Sequence, residues 1–167
     1  MQIGNIHIGK PETAKPTVLD AGEAHVLWNH LLSRYDIIEH TQIWENCVHD
    51  PDLKYFLRQG LMNLLERQTG ELEEMMDAFK LPLPYRPPKS SNVPVTGEVF
   101  NDRFIFKSVL TGIENVLSSE IHAVRTTISN DGLRKMFIRF ITEELRVFDD
   151  ICKYGKLKGW LQVPPKL

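Results

Sequence analysis

The sequence predicts an all-α protein that folds as one four-helix bundle over residues 1–167. Apolar residues recur at helical spacing in four long stretches, and no stretch shows the convincing alternation of a strand. Two of the three connections between these stretches are short, and the third is long and rich in proline. A chain of 167 residues has the length of a single domain and can bury one apolar core.

Residues 1–19 form an arm without helical period, and predicted helices follow at 20–49 and 51–80. Asp20 opens the first helix and Asp50 the second, because a short polar side chain accepts hydrogen bonds from the free N–H groups of a first turn. The stripe of the first helix consists of Ala24, Leu27, Trp28, Leu31, Tyr35 and Ile38. The stripe of the second consists of Leu53, Leu57, Leu61, Leu64, Gln68, Leu72, Met75 and Phe79.

Residues 81–101 are the long connection. Prolines exclude a helix here, at Pro82, Pro84, Pro87, Pro88 and Pro94. A proline-rich chain is extended, at about 3.1 Å per residue, so this segment can cross the length of a bundle. Such a crossover makes helix three parallel to helix two, which is the topology of ferritin-like bundles. An ordinary up-down bundle is the alternative.

Predicted helices three and four span 102–129 and 131–154. Asp102 is expected to cap the third helix, and Asn130 or Asp131 the fourth. Gly155 and Gly159 are expected to end the fourth helix, after which the tail, residues 155–167, should bury Trp160. The two stripes contain Phe106, Val109, Leu110, Ile113, Leu117, Val124 and Ile128, then Leu133, Phe137, Phe140, Ile141, Phe148 and Ile151.

Four polar residues interrupt the stripes at a similar predicted height: Tyr35, Gln68, Glu120 and Glu144. At 1.5 Å of rise per residue, they spread over roughly 6 Å of the bundle axis. Because a buried, unpaired carboxylate costs several kcal/mol, the two glutamates must share a proton, bind a cation or bond fully to neighbours. A structural layer completed by Tyr35 and Gln68 is the favoured interpretation. It predicts that Glu120→Gln with Glu144→Gln leaves the fold intact.

A metal site at Glu120 and Glu144, holding iron or manganese, is the alternative. Di-iron bundles carry Glu-x-x-His on two helices, and this sequence contains no Glu-x-x-His. An oxygen-only site of low affinity is what remains, so no cofactor is expected. A third possibility is a core cavity for a small molecule, opened by Gly60 and Gly112.

Composition narrows the classes of function. The net charge of −2 and the absence of a basic run argue against a nucleic-acid partner. No apolar run is long enough to span a bilayer, and the N-terminal stretch lacks the apolar core of a signal peptide. We therefore expect a protein made and kept inside the cell. Cys47 and Cys152 are expected to be reduced thiols, a disulfide between them being the less favoured alternative.

Several segments carry a resemblance to a known family. They are EAHVLWNHLLSRYD, HDPDLKYFLRQG, LPLPYRPP, NDGLRKMF, TEELRVFD and KGWLQVPP, and the likeness extends from Ala21 to Pro165. The chain resembles a ferritin-like family of endospore-forming bacteria, often labelled spore coat proteins, and is similar to the spore coat protein F group. The resemblance implies a ferritin-like bundle and an association with sporulation, and it brings no established catalytic residues.

Together these points predict a non-enzymatic structural or interaction protein of the spore coat or of sporulation. It would be synthesised in the cytoplasm and deposited in the spore or its coat. Its expected partners are a second copy of itself, as a homodimer, and other coat proteins. Apolar residues outside the stripe of the first helix favour self-association: Leu32, Ile37, Ile43 and Trp44. The alternative is a ferritin-like metal-binding protein or oxidoreductase that uses the carboxylate layer.

Overall fold

The computed structural model describes residues 2–3, 6–7, 18–88, 100–162 and 165 of the chain. Its four long helices confirm the all-α prediction, and we name them α1 (Ala21–Cys47), α2 (51–78), α3 (Asp102–Thr126) and α4 (Asp131–Lys158). In the arm, strands β1 (Gln2–Ile3) and β2 (Ile6–His7) pair antiparallel, which the sequence did not predict.

Short polar side chains begin the helices. Asp20 forms a capping box with Glu23, and the side chain of Asn130 accepts a hydrogen bond from the backbone of the first turn of α4. The prediction that Asp102 caps α3 is wrong, because Asn101 accepts from the backbone N–H of Phe104 at 2.9 Å. Asp102 lies one residue inside the helix, which frees its carboxylate for another partner.

α2 is one continuous helix with a change of winding. An α-helical turn, Pro51–Tyr55, leads into a π-helical segment, Phe56–Met62, and then into the α-helix Asn63–Ala78. The buried leucines of this region recur at every fourth residue: Leu53, Leu57, Leu61 and Leu65. In an α-helix, a four-residue spacing drifts about 40° around the axis at each step. The wider π turn offsets that drift and keeps the leucines facing the core.

The predicted end of the fourth helix is wrong. α4 continues through Gly155 to Lys158, and Gly159, with φ of 67°, ends it in the left-handed conformation. Gly155 serves a different purpose, because a Cβ atom there would lie 2.2 Å from the Cζ atom of Phe106. Glycine thus lets α4 approach α3 closely. The other helices also differ from the predicted ranges, ending at 47, 78 and 126 rather than at 49, 80 and 129.

The core consists of two apolar clusters, each with residues from all four helices. Cluster A contains Val26, Leu27, Leu31, Leu72, Met76, Ala123, Leu133, Phe137 and Phe140, among others. Cluster B contains Cys47, Leu53, Leu57, Ile105, Phe106, Val109 and Ile151, among others. α1 and α4 therefore run from cluster A to cluster B, and α2 and α3 run from B to A.

Hydrogen bonds mark the two ends of the bundle. Beside cluster B, the carboxylate of Asp102 accepts from the backbone N–H groups of His49 and Asp50, at 2.8 and 2.9 Å. The first turns of α2 and α3 therefore lie together. Beside cluster A, Ser129 donates to Glu23 at 2.6 Å and ties the turn between α3 and α4 to the start of α1.

The described part of the long connection, residues 81–88, starts at the cluster A end. Arg86 approaches Glu73 at 3.4 Å, and its guanidinium lies 5.7 Å from the ring centre of Tyr35. Both partners lie further from that end than Ala78, so this stretch follows α2 back toward the middle of the bundle. Residues 89–99 of the predicted crossover lie outside the described residues.

The tail and the first helix differ in part from expectation. Trp160 is only partly buried, with its ring centre 5.9 Å from that of Phe106, and the nearby Lys158 binds Asp50 at 2.7 Å. Three of the apolar residues expected outside the core, Ile37, Ile43 and Trp44, pack against cluster B.

Candidate functional site

A buried arginine lies at the centre of the bundle, between the two apolar clusters. The Nη2 atom of Arg34 donates to Oε1 of Glu120 at 2.6 Å and also to Oε1 of Glu144. The arginine is 1% exposed, Glu120 is fully buried and Glu144 is 5% exposed. One guanidinium on α1 therefore joins carboxylates on α3 and α4, and we call these three residues the ion triad.

Of the predicted polar layer, the structure brings together Glu120 and Glu144, which meet on Arg34. Tyr35 and Gln68 are buried at neighbouring positions but bond elsewhere. The hydroxyl of Tyr35 donates to Glu73 at 2.7 Å, and the amide of Gln68 donates to Glu143 at 3.2 Å. These two residues were expected to be partners of the buried carboxylates, and that expectation is corrected: the partner is a cation from the chain itself.

Burial is the main influence on the pKa values of the two glutamates of the triad. Loss of solvent raises the pKa of Glu120 from 4.5 to about 8 and that of Glu144 to about 7, against the opposing attraction of Arg34. The charge count agrees with this direction, because two ionised carboxylates around one guanidinium leave an excess negative charge in the core. Near neutral pH, the folded protein therefore holds a proton on the pair of glutamates.

His30 borders the triad as a neutral group. Its Nδ1 atom lies 2.8 Å from the carbonyl oxygen of Val26, which can only accept, so Nδ1 carries the proton and donates. Its Nε2 atom is left to accept from Ser119, at 3.3 Å. Burial lowers the pKa of His30 to about 4. His30 therefore forms no ion pair with Glu120 at neutral pH, although its Nε2 atom lies 3.9 Å from Oε1 of that residue.

The triad leaves several buried polar atoms open. Oε2 of Glu120, Oε2 of Glu144 and Nε of Arg34 have no hydrogen-bond partner among the described residues. Such atoms cost free energy when they are buried.

A cavity lies beside the ion triad. Arg34 and Glu144 line a cavity of about 100 Å³ whose walls come from all four helices. Gly112 lines it too, and a Cβ there would meet nothing within 4 Å, whereas Gly60 does not line it. The expected glycine-opened cavity therefore involves Gly112 and not Gly60.

The described residues contain no group of three or more histidine, cysteine, aspartate or glutamate side chains arranged to hold a metal ion. At the expected position, Glu120 and Glu144 stand with a guanidinium, which has no lone pair to donate to a metal. Cys47 and Cys152 are free thiols. Within the described parts of the chain, no helix is long and apolar enough to cross a membrane.

Arg34 is the central residue that sequence reasoning missed. The predicted stripe of the first helix included Trp28, which is 37% exposed, and omitted Arg34. The buried residues in the first half of α1 instead include Val26, Leu27, His30, Leu31, Arg34 and Tyr35, which recur at spacings of three and four. A basic residue on that face, at the height of two core glutamates, was the available signal for an ion pair.

A family profile described as a protein of unknown function, DUF3231, matches residues 9–167, which is nearly the whole chain. The chain belongs to the DUF3231 family. A comparison of this DUF3231 chain with curated proteins gave no match.

A solved structure shares the fold of this DUF3231 protein. It is a protein of Bacillus halodurans C-125, provisionally described as a spore coat protein. The two chains superimpose with a TM-score of 0.81 at 24% sequence identity, over 89% of this chain and 95% of the other. At that identity, the similarity establishes the fold of the DUF3231 chain and not its role.

Proposed function

We propose that this protein is a non-enzymatic structural or interaction protein of the spore or the forming spore. The observation that carries the proposal is the ion triad, whose charged groups form ion pairs with one another inside the bundle. They join α1, α3 and α4, so their effect is to fix the packing of the helices rather than to contact a substrate. The provisional description of the similar Bacillus halodurans protein supports the spore as the location.

The proposal includes a ferritin-like arrangement of the helices. Each helix would lie antiparallel to its two neighbours, with the long connection, residues 81–101, crossing from the cluster A end to the cluster B end. The direction of α2 and α3 between the clusters supports this, as does the return of Arg86 along α2. A helix of 25 residues such as α3 is about 37 Å long, a distance that an extended proline-rich connection can cover.

Localisation in a sporulating host tests the role. A fluorescent fusion of the whole chain is expected to gather around the forespore, and the untagged protein should be recovered in coat extracts of purified spores. A fusion with Arg34→Met, which breaks the triad, controls for misfolded protein that accumulates without specific placement. Uniform fluorescence of the parent fusion throughout the cell, with no protein in spore extracts, would contradict the proposal.

The second candidate is a ferritin-like metal-binding protein or oxidoreductase with iron or manganese at Glu120 and Glu144. The open Oε2 atoms of both glutamates favour it. Arg34 opposes it, because a guanidinium between the carboxylates competes with any cation for them.

Thermal melts with and without Fe²⁺, Mn²⁺ and Zn²⁺ decide between the two candidates. The structural function predicts no metal-dependent shift, in the parent or in Glu120→Gln with Glu144→Gln. A shift in the parent that is lost in the double variant, together with metal retained after purification without chelators, would favour the metal-binding function.

A further inference from the structure

The cavity beside the ion triad presents mainly apolar walls. Residues from all four helices form them, and most of the described lining residues are apolar, among them Ile37, Leu65, Val109, Ile113 and Val147. Protein interiors are close-packed, with few voids larger than a water molecule. A void of about 100 Å³ therefore has room for a small organic molecule.

The charged residues at the lining are already paired with each other. Arg34 and Glu144 both line the cavity, and Nη2 of the arginine donates to Oε1 of the glutamate. Nε of Arg34 and Oε2 of Glu144 lack a hydrogen-bond partner among the described residues, but protein atoms enclose both of them. A molecule in the cavity cannot reach these two atoms. An ionised ligand would therefore lose its hydration there without gaining a free counter-charge from the triad.

Gly112 keeps part of this space open. It lies inside α3, where glycine is less favourable than every other residue except proline. A Cβ atom at this position would meet nothing within 4 Å, so the close approach of a neighbouring helix does not account for the glycine. At Gly155, by contrast, the ring of Phe106 occupies the corresponding place. What Gly112 provides is open volume in the wall of the cavity.

Two aromatic rings lie where the cavity meets solvent. His40 is exposed, its ring stacks on that of Trp44 with 5.9 Å between the ring centres, and both residues line the cavity. The cavity thus has a side at the bundle surface. A small molecule can enter there without separation of the four helices.

We propose that this cavity binds a small uncharged hydrocarbon of about five carbon atoms, held by the apolar walls. The driving force is the removal of apolar surface from water. A protein cavity of about 150 Å³ holds benzene, so one of about 100 Å³ suits a five-membered ring or a short branched chain. This site goes beyond the proposed structural function and does not depend on it.

Three rings of matched size test the site by NMR titration of the full chain at pH 7: cyclopentane, tetrahydrofuran and pyrrolidine. They differ at one ring atom, and pyrrolidine, an alkyl amine like lysine, is a cation at this pH. Cyclopentane is expected to shift the methyl resonances of lining residues such as Val109 and Val147. Tetrahydrofuran should bind at least tenfold more weakly, because its oxygen loses hydrogen bonds to water, and pyrrolidine should not bind.

Two variants locate the binding. Gly112→Leu fills the cavity and should abolish the response to cyclopentane. Gly70→Leu is the matched control, because a Cβ at this helical glycine also meets nothing within 4 Å but the residue does not line the cavity. Its affinity for cyclopentane should equal that of the parent protein.

Three results would overturn the proposal. The first is no shift of the lining methyl resonances when the parent protein is saturated with cyclopentane. The second is binding of tetrahydrofuran or pyrrolidine as tight as that of cyclopentane, which would show recognition of a polar group. The third is an unchanged response to cyclopentane in Gly112→Leu, which would place the ligand elsewhere. Because the first two use the parent protein, they remain decisive if a variant fails to fold.

Discussion

At the scale of single residues, Arg34 sets the charge balance of the bundle centre. Removing water from two carboxylates and a guanidinium costs several kcal/mol per ion, which their mutual attraction offsets only while opposite charges remain in contact. The earlier expectation that Glu120→Gln with Glu144→Gln leaves a stable fold therefore needs correction. That double change would leave the guanidinium buried without a counter-charge.

The first prediction concerns the loss of that cation. Arg34→Met should destabilise the protein by about 3–5 kcal/mol at pH 8, because it leaves two buried carboxylates without a partner. The loss should be smaller at pH 5, where both carboxyl groups of the variant are protonated. Urea unfolding at the two pH values measures both effects.

The matched control removes all three charges together. Arg34→Met with Glu120→Leu and Glu144→Leu replaces the triad with apolar groups, and its unfolding free energy should be close to that of the parent or higher. If the triple variant were as unstable as Arg34→Met, the cost would come from packing and not from unpaired charge.

The second prediction is a pH dependence. Glu120 and Glu144 titrate higher in the folded state, at about 8 and about 7, than at their ordinary 4.5, so the folded state binds more protons between those values. Stability should therefore fall as pH rises through that window. His30, lowered from 6.5 to about 4, acts in the opposite direction below pH 6.5. The fall should thus be clearest between pH 6.5 and 8.

Urea unfolding at pH 6.5, 7 and 8 measures this slope. Glu120→Gln should flatten it, because that variant leaves Glu144 alone with Arg34 as a balanced pair. A parent whose stability is constant or rises across this range would show that the glutamates do not hold a proton in the folded state.

Sequence reasoning found Glu120 and Glu144 as buried partners because each interrupts an apolar stripe. It did not find Arg34, since an arginine on a helix is usually solvated and its long side chain can leave the face from which it starts. The protonation of His30 was also beyond the sequence, because it depends on a carbonyl of the preceding turn.

At the scale of elements, two helical glycines with opposite surroundings offer a matched pair. Gly155→Ala should destabilise the protein by about 1–3 kcal/mol, because the new methyl group overlaps the ring of Phe106. Gly112→Ala should stabilise it by up to about 1 kcal/mol, since the helix gains propensity and the methyl group meets nothing.

Urea unfolding of both variants and of Gly155→Ala with Phe106→Leu checks this. The smaller side chain should recover part of the loss in the double variant, a coupling that a double-mutant cycle measures. A stability of Gly155→Ala equal to or above that of the parent would mean that α3 and α4 can separate freely.

The tail supplies a second test at this scale. Trp160→Ala should lower the melting temperature, because the indole packs against the rings of Phe106 and Tyr154 at the end of cluster B. Leu157→Ala is the control, at a side chain that is 80% exposed, and should leave the melt unchanged. Equal melts for both variants would show that the tail adds nothing to the bundle.

Helix starts were predicted to within one residue, because a polar side chain caps each of them, whereas every helix end was misplaced. Asp20 and Asp50 cap as expected. Gly155 was misread, since sequence cannot distinguish a glycine that ends a helix from one that admits a neighbouring ring. The π-helical segment of α2 was visible in principle, in the strict four-residue spacing of its leucines.

At the scale of the whole molecule, the all-α class followed from hydrophobic periodicity, which is a property of the chain. The cavity did not, because its walls come from four helices whose relative rotation the sequence leaves open. The same rotation bears on three of the four residues that were predicted to support self-association. Ile37, Ile43 and Trp44 lie off the assumed stripe, yet they pack against cluster B.

Self-association remains a prediction, now placed on another surface. Ile138 and Leu145 lie seven residues apart on the outer side of α4, 47% and 51% exposed. We expect a homodimer at micromolar concentration by light scattering, shifted toward monomer by Ile138→Glu with Leu145→Glu. Tyr55→Glu, at an exposed position on α2, should leave the dimer intact. A monomeric parent protein would contradict the prediction.

The position of the ion triad between two apolar clusters also limits how the helices can slide past one another. A shift of α1 by one turn, about 5.4 Å, in either direction would place the guanidinium among alkyl side chains. Both carboxylates would then be buried without a cationic partner. A buried polar residue fixes the axial register of a coiled coil in the same way. We therefore expect the all-apolar triple variant, even if more stable, to sample neighbouring registers and to show broader amide resonances than the parent.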